Sequence, residues 1–204
     1  MNYLLKKKIH DLGRASLVFA IIMSISVHSM AVDAQGIVRG FVWGVSLEDV
    51  KNFETARLLE TYEGALFYRD TIEKRDVLIS YEFADNKLWR VRLDYQDDYS
   101  DPQEYIRLLL DLQMMLEGRF GQATKENFLW HNDRERNFPQ HWGHAVLRRD
   151  LDITIFWDLP ETHVRIDLHS DETFQQKLSI TFVQKPENSL RPSFLGSNSV
   201  VNTE

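Results

Sequence analysis

Val77-Leu-Ile-Ser-Tyr-Glu-Phe-Ala-Asp-Asn-Lys-Leu-Trp-Arg-Val-Arg-Leu-Asp-Tyr95 is the stretch that decides the fold. Its first part, 77–83, puts Val77, Ile79, Tyr81 and Phe83 on one side of an extended chain. Its last part, 88–95, puts Trp89, Val91, Leu93 and Tyr95 on one side and Leu88, Arg90, Arg92 and Asp94 on the other. A period of two is what a sheet with one buried and one solvated face requires. Ala84-Asp-Asn-Lys87 joins the two runs as a hairpin turn, because Asp and Asn tolerate left-handed backbone.

The same alternation extends outward on both sides. Upstream, 65–70 (ALFYRD) reads as a strand and 37–43 (IVRGFVW) as a short extended lead-in. Downstream, three sets alternate: Ile153, Ile155, Trp157; then Val164, Ile166, Leu168; then Leu178, Ile180, Phe182. Further strands are expected near Asn127–His131 and Ala145–Arg149. Two helices interrupt the pattern. Ser46 as N-cap with Asp49 three residues on opens a helix that should run to about Leu59. Asp101, Pro102 and Glu104 open the second, whose Tyr105, Leu109, Leu112, Leu116 and Phe120 form one apolar stripe ending at Gly121.

These elements predict an α+β fold: an antiparallel sheet with two helices on one face, in a single domain over 35–185. A helix followed by three strands, then a helix followed by three or four, reads as a tandem α-β-β-β repeat over 41–96 and 101–185. An unduplicated α+β sheet is the plainer alternative.

The first 34 residues read as a secretory signal peptide. Lys6, Lys7, Lys8 and Arg14 form its positive end, an uncharged run follows from Ala15 to Val27, and cleavage is expected after Ala34, with Ala31 as the second choice. The run is shorter than the roughly 20 apolar residues a bilayer-spanning helix needs, so no membrane span is expected after cleavage. The chain has no cysteine, which excludes a lipid anchor on a lipobox, thiol catalysis, Cys-ligated zinc and disulfide staples. These signs point to the periplasm, or to secretion. From 186 to 204 the sequence is Ser/Asn/Pro-rich and reads as a disordered tail.

The whole chain carries a net charge of −7. Most of the leader's charge is positive, so the mature protein is more acidic still. Phosphate affinity rests on Lys and Arg, so nucleic acid is not an expected partner. An acidic membrane surface is disfavoured on the same ground.

Phe41-Val-Trp-Gly-Val-Ser-Leu-Glu-Asp-Val50, followed by Tyr81-Glu-Phe-Ala-Asp-Asn-Lys-Leu88, resembles small exported bacterial proteins of the β-lactamase-inhibitor-protein-like and outer-membrane-assembly small-lipoprotein type. The likeness covers about residues 41–120, and its motifs are a helix start and a hairpin. It implies a non-enzymatic, protein-contacting module, and no functional residue of the family maps onto a particular position. The chain departs from the assembly lipoproteins in lacking the lipid-bearing cysteine.

For chemistry, the candidates are few. His163, Arg165, Asp167 and His169 share one face of their strand and, with Arg90, Arg92 and Asp94, would line a polar sheet surface. Its functional reading is a partner platform whose arginines grip carboxylates; its plainer reading is a solvated face of cross-strand charge pairs. Phe128, Trp130, Phe138 and Trp142 cluster in a polar segment, as a lid packed on the sheet or an exposed binding patch. His131, His141 and His144 invite a metal reading, but the HExxH helix is absent and HWGH contains a glycine and follows Pro139. No nucleophile elbow or phosphate loop occurs, and no cofactor is expected. The leading expectation is an exported adaptor, inhibitor or assembly factor that meets another exported or envelope protein. A metal- or carboxylate-dependent hydrolase and a small-ligand-binding protein stand as alternatives.

Overall fold

The computed structural model describes residues 38–186. The expected signal peptide, its cleavage at Ala34 and the tail from 187 onward lie outside the described residues.

Eight strands form one antiparallel sheet: β1 (Arg57–Tyr62), β2 (Ala65–Ile72), β3 (Arg75–Ala84), β4 (Lys87–Tyr95), β5 (Lys125–Trp130), β6 (Leu151–Asp158), β7 (Thr162–Ser170) and β8 (Gln176–Gln184). Three helices accompany them among the described residues: α1 (Leu47–Phe53), α2 (Gln103–Phe120) and α3 (Trp142–Leu147). The strand order is β1-β2-β3-β4-β8-β7-β6-β5, so the last strand of each half meets the other at the centre. The pairing repeats. Leu66, Tyr68, Val77, Ile79, Val91 and Leu93 occupy the positions that Ile153, Ile155, Val164, Ile166, Leu178 and Ile180 occupy in the second half, all buried on the same face.

Each half therefore carries four strands, one more than expected in the first half and within the three or four expected in the second. The missing strand is β1. Arg57–Tyr62 reads as the tail of a helix, whereas α1 stops at Phe53 and Glu54 is already extended. The halves differ mainly between their first two strands. Glu63 and Gly64, both at positive φ, turn β1 into β2, whereas residues 131–150, which include α3, separate β5 from β6. The strand expected at Ala145–Arg149 is the end of this helix.

One hydrophobic cluster joins all three helices to one sheet face. It includes Val50 of α1, Tyr105, Leu109 and Leu116 of α2, and Trp142, Ala145 and Val146 of α3. Burial of each large aliphatic or aromatic side chain contributes about 1.5–3 kcal/mol before entropy is counted. The register slips between Glu82 and Phe83, a bulge that reverses the expected sides of two residues on β4. Leu88 is buried, and Trp89 lies half-exposed under the Arg90 guanidinium, 5.1 Å from its ring centre. Asp85 and Asn86 both take positive φ in the β3–β4 turn, as the hairpin reading requires. Among the described residues no helix is long and apolar enough to cross a membrane.

Candidate functional site

With the helices on one face, the other face of the sheet carries the polar residues of alternate positions. Three rows cross its centre. Arg90 stands opposite Val183, which stands opposite His163. Arg92, Thr181 and Arg165 form the next row, and Asp94, Ser179 and Asp167 the third. Four of the sequence candidates, Arg90, Arg92, His163 and Arg165, therefore come together on β4 and β7 with β8 between them. Strands lie about 4.8 Å apart, which puts the Arg92 and Arg165 backbones roughly 9.6 Å from each other.

Each arginine of these central rows has a carboxylate. Arg92 Nε donates to Asp94 Oδ1 at 2.8 Å, Arg165 Nε to Asp167 Oδ2 at 2.6 Å and Arg90 Nε to Glu82 Oε1 at 2.7 Å. Asp167 also accepts from Thr154 Oγ1 at 3.1 Å. His163 lies over the Phe156 ring at 5.3 Å, with Nδ1 3.1 Å from Asp158 Oδ1 but out of line for a hydrogen bond. Lys185 also pairs with Asp158 and holds that carboxyl below its ordinary range. Between these long side chains, Ser179 and Thr181 of β8 are buried although they belong to the polar face, and among the described residues no group reaches Thr181 Oγ1. The face is thus close to electroneutral, with its charges exposed and already oriented. Arg165 engages Asp167 through Nε alone, so among the described residues its two terminal amino groups have no acceptor.

His169 sits apart from this group. It lies on the same face two side chains further along β7, opposite Lys177, where the sheet ends in a cleft. Trp130 and Trp142, offered by the sequence as surface candidates, belong to the opposite, helix-covered face. Trp142 is 5 % exposed, its ring 5.8 Å from Trp130 and 5.4 Å from Phe128, and its Nε1 donates to Glu135 O at 3.2 Å. These aromatics pin the 131–150 insertion to the sheet, which is the lid reading and not the binding-patch one. Phe138 alone of the four stays outside, half-exposed and stacked on His141.

The histidines of the hydrolase alternative do not converge. His131 Nε2 is 2.9 Å from Asp152 Oδ2, His141 Nδ1 is 2.9 Å from Glu135 Oε2, and His144 is exposed on α3. Among the described residues no three His, Asp or Glu side chains stand close enough to hold a metal ion.

Sequence reading missed a second polar cluster, at the end of the core under the first half. Arg39 grips Glu54 through two hydrogen bonds of 3.0 and 3.1 Å and reaches Asp70 at 2.7 Å, and the Tyr81 hydroxyl donates to Glu54. Burial alone would raise the Glu54 carboxyl, but Arg39, Tyr81 and the Ala56 N–H together hold it below its ordinary range. Burial and the neighbouring carboxylate push the Tyr81 phenol up, so it remains a proton donor. No spacing signals this cluster, because its members lie up to 42 positions apart by number, from Arg39 to Tyr81.

Comparison with protein-family models, with curated proteins and with solved structures returns no match.

Proposed function

We propose that this chain is an exported, periplasmic interaction module, an adaptor, inhibitor or assembly factor, that engages another exported or envelope protein through the uncovered face of its sheet. One observation carries the reading: all three helices pack on one side, leaving the rows of Arg90, Arg92, His163 and Arg165 on the other. The resemblance of residues 41–120 to exported protein-contacting modules agrees with it, as does the signal-peptide character of residues 1–34. A face of oriented, neutralised charges favours selectivity over raw affinity. A matching partner exchanges one ion pair for another, whereas a mismatched partner strands several charges.

A photo-crosslinking residue placed at Arg165 or Lys125, on the uncovered face, tests this in cells. The expected result is one discrete adduct from these positions and none from Met114, which is exposed on α2. Adducts of equal intensity from both sides, or none from the face, would overturn it. Mass spectrometry of the periplasmic fraction should return a chain beginning at Gln35.

A further inference from the structure

From β3 to β5, one row of the uncovered face carries cations and no carboxylate. Strand pairing sets it out as Ser80, Arg92, Thr181, Arg165, Phe156 and Lys125. The row on one side of it holds Asp94 and Asp167, and the row on the other holds Glu82 and Asp158. Arg92, Arg165 and Lys125 stand on every second strand, so their backbones follow one another at roughly 9.6 Å.

The donors of this row are only partly used. Arg92 spends Nε and one terminal nitrogen on the same Asp94 oxygen, at 2.8 Å each, and Arg165 spends Nε alone. Among the described residues the remaining guanidinium nitrogens and Lys125 Nζ have no acceptor. Thr181 supplies the independent sign. Ile180 and Phe182 on either side of it belong to the core, so its own side chain faces the row, between the two arginines. It is 6 % exposed, and its hydroxyl has no partner among the described residues, where a buried hydroxyl ordinarily finds one. That arrangement destabilises the fold, and an acceptor brought by a partner would relieve it. What hides the hydroxyl is the surface layer, because both flanking arginine side chains are more than a third exposed. Each leans to the neighbouring row, toward Asp94 and Asp167. When they swing to a new acceptor the hydroxyl is uncovered, a rotamer change of the kind common at interfaces.

We propose that this row seats an acidic side chain of the protein partner, an aspartate or glutamate whose carboxylate lies over Thr181 between Arg92 and Arg165. The Thr181 hydroxyl and the terminal amino groups of Arg165 donate to it, and Lys125 meets a second acid further along the partner. Charge complementarity selects this occupant. Planar guanidinium donors match a carboxylate, whereas a lysine or arginine brought to the row would meet like charge and leave the hydroxyl unpaired. The inference rests on the platform reading and gives that face its selectivity.

Titration of the mature protein with acetylated, amidated hexaglutamate, and with hexaglutamine as the uncharged control, tests it by NMR of the amides and arginine Nε–H groups. Saturable shifts centred on Arg92, Thr181 and Arg165 are expected with hexaglutamate and not with hexaglutamine. Arg165→Gln should weaken binding at least tenfold, and Arg57→Gln, an equal loss of charge on the edge strand, less than twofold. Thr181→Val should weaken it at least threefold while leaving the fold at least as stable, which loss of a merely structural hydroxyl would not do. Shifts that do not saturate, or Thr181→Val and Arg165→Gln binding like the parent, would overturn the seat. The titration needs no cellular partner. An adduct in cells without a peptide site removes the seat and spares the platform, whereas a peptide site without an adduct removes the platform and with it the protein partner.

Discussion

The α-carbon of Gly143 lies against Pro102, so close that a methyl group added there would stand 2.4 Å from the proline's carbonyl carbon and oxygen. Gly143 also donates its N–H to Gln103 Oε1 at 2.9 Å, and its carbonyl accepts from Gln176 Nε2 at 3.2 Å. The glycine of His141-Trp-Gly-His144 is therefore the seat of the contact between α3 and the start of α2.

Gly143→Ala should accordingly cost about 2–3 kcal/mol, the range for overpacking against a backbone that cannot give way. Gly118→Ala is the control. It sits in the exposed interior of α2 with open space around it and should gain about 0.5–1 kcal/mol from helix propensity. Urea denaturation reads both, and equal destabilisation by the two would refute the contact.

Glu54 predicts the response to acid. Its folded pKa lies below the ordinary 4.5, so its contribution is present above that value and is lost as pH falls from about 4.5 through the folded pKa. Glu54→Gln should cost about 3 kcal/mol at neutral pH, because Arg39 loses its bidentate partner. The difference between parent and variant should narrow below pH 4.5. A constant difference from pH 7 to 3 would contradict the assignment.

Thr181→Val should raise stability by about 1 kcal/mol. The substitution keeps the volume and removes a buried hydroxyl that no protein group satisfies. Thermal unfolding checks this, and a loss of similar size would show that the hydroxyl is bonded.

Arg92→Ala and Arg165→Ala should each change stability by less than about 1 kcal/mol, since both arginine side chains are more than a third exposed to water. Any loss of the crosslinked adduct in these variants then reports contact, not unfolding.

The β1 edge should be the place where the protein associates with itself. All six of its residues are exposed, Leu58, Leu59 and Tyr62 among them, with Phe53 nearby at 72 %. No proline or lysine interrupts it, although such residues commonly guard sheet edges. Leu59→Lys should lower light scattering at high concentration with little change in folding stability; unchanged scattering would exonerate the edge.

Much of the fold was readable where local pattern and burial agree. The alternation of Val77, Ile79 and Tyr81 and the stripe of Tyr105, Leu109 and Leu116 both became core. Arg57–Tyr62 was unreadable as a strand because an edge exposed on every residue has no buried face, hence no period. Trp142–Leu147 was unreadable as a helix because its glycine is placed by tertiary contact with Pro102, against local propensity. On the candidate site, alternation put Arg90, Arg92, His163 and Arg165 on one face correctly. It had no means to rank Trp130 and Trp142, whose sheet side follows from the pairing of β5 with β6.

The meeting of β4 with β8 at the sheet's centre has a consequence for how the chain comes into being. Leu93 waits for Ile180, almost the whole second half away in sequence, before its outer edge is closed. A nascent or threading chain thus holds an unfinished four-stranded leaf until its final strand arrives and slots between two neighbours. Losing the last ten described residues would remove a keystone, not a fringe.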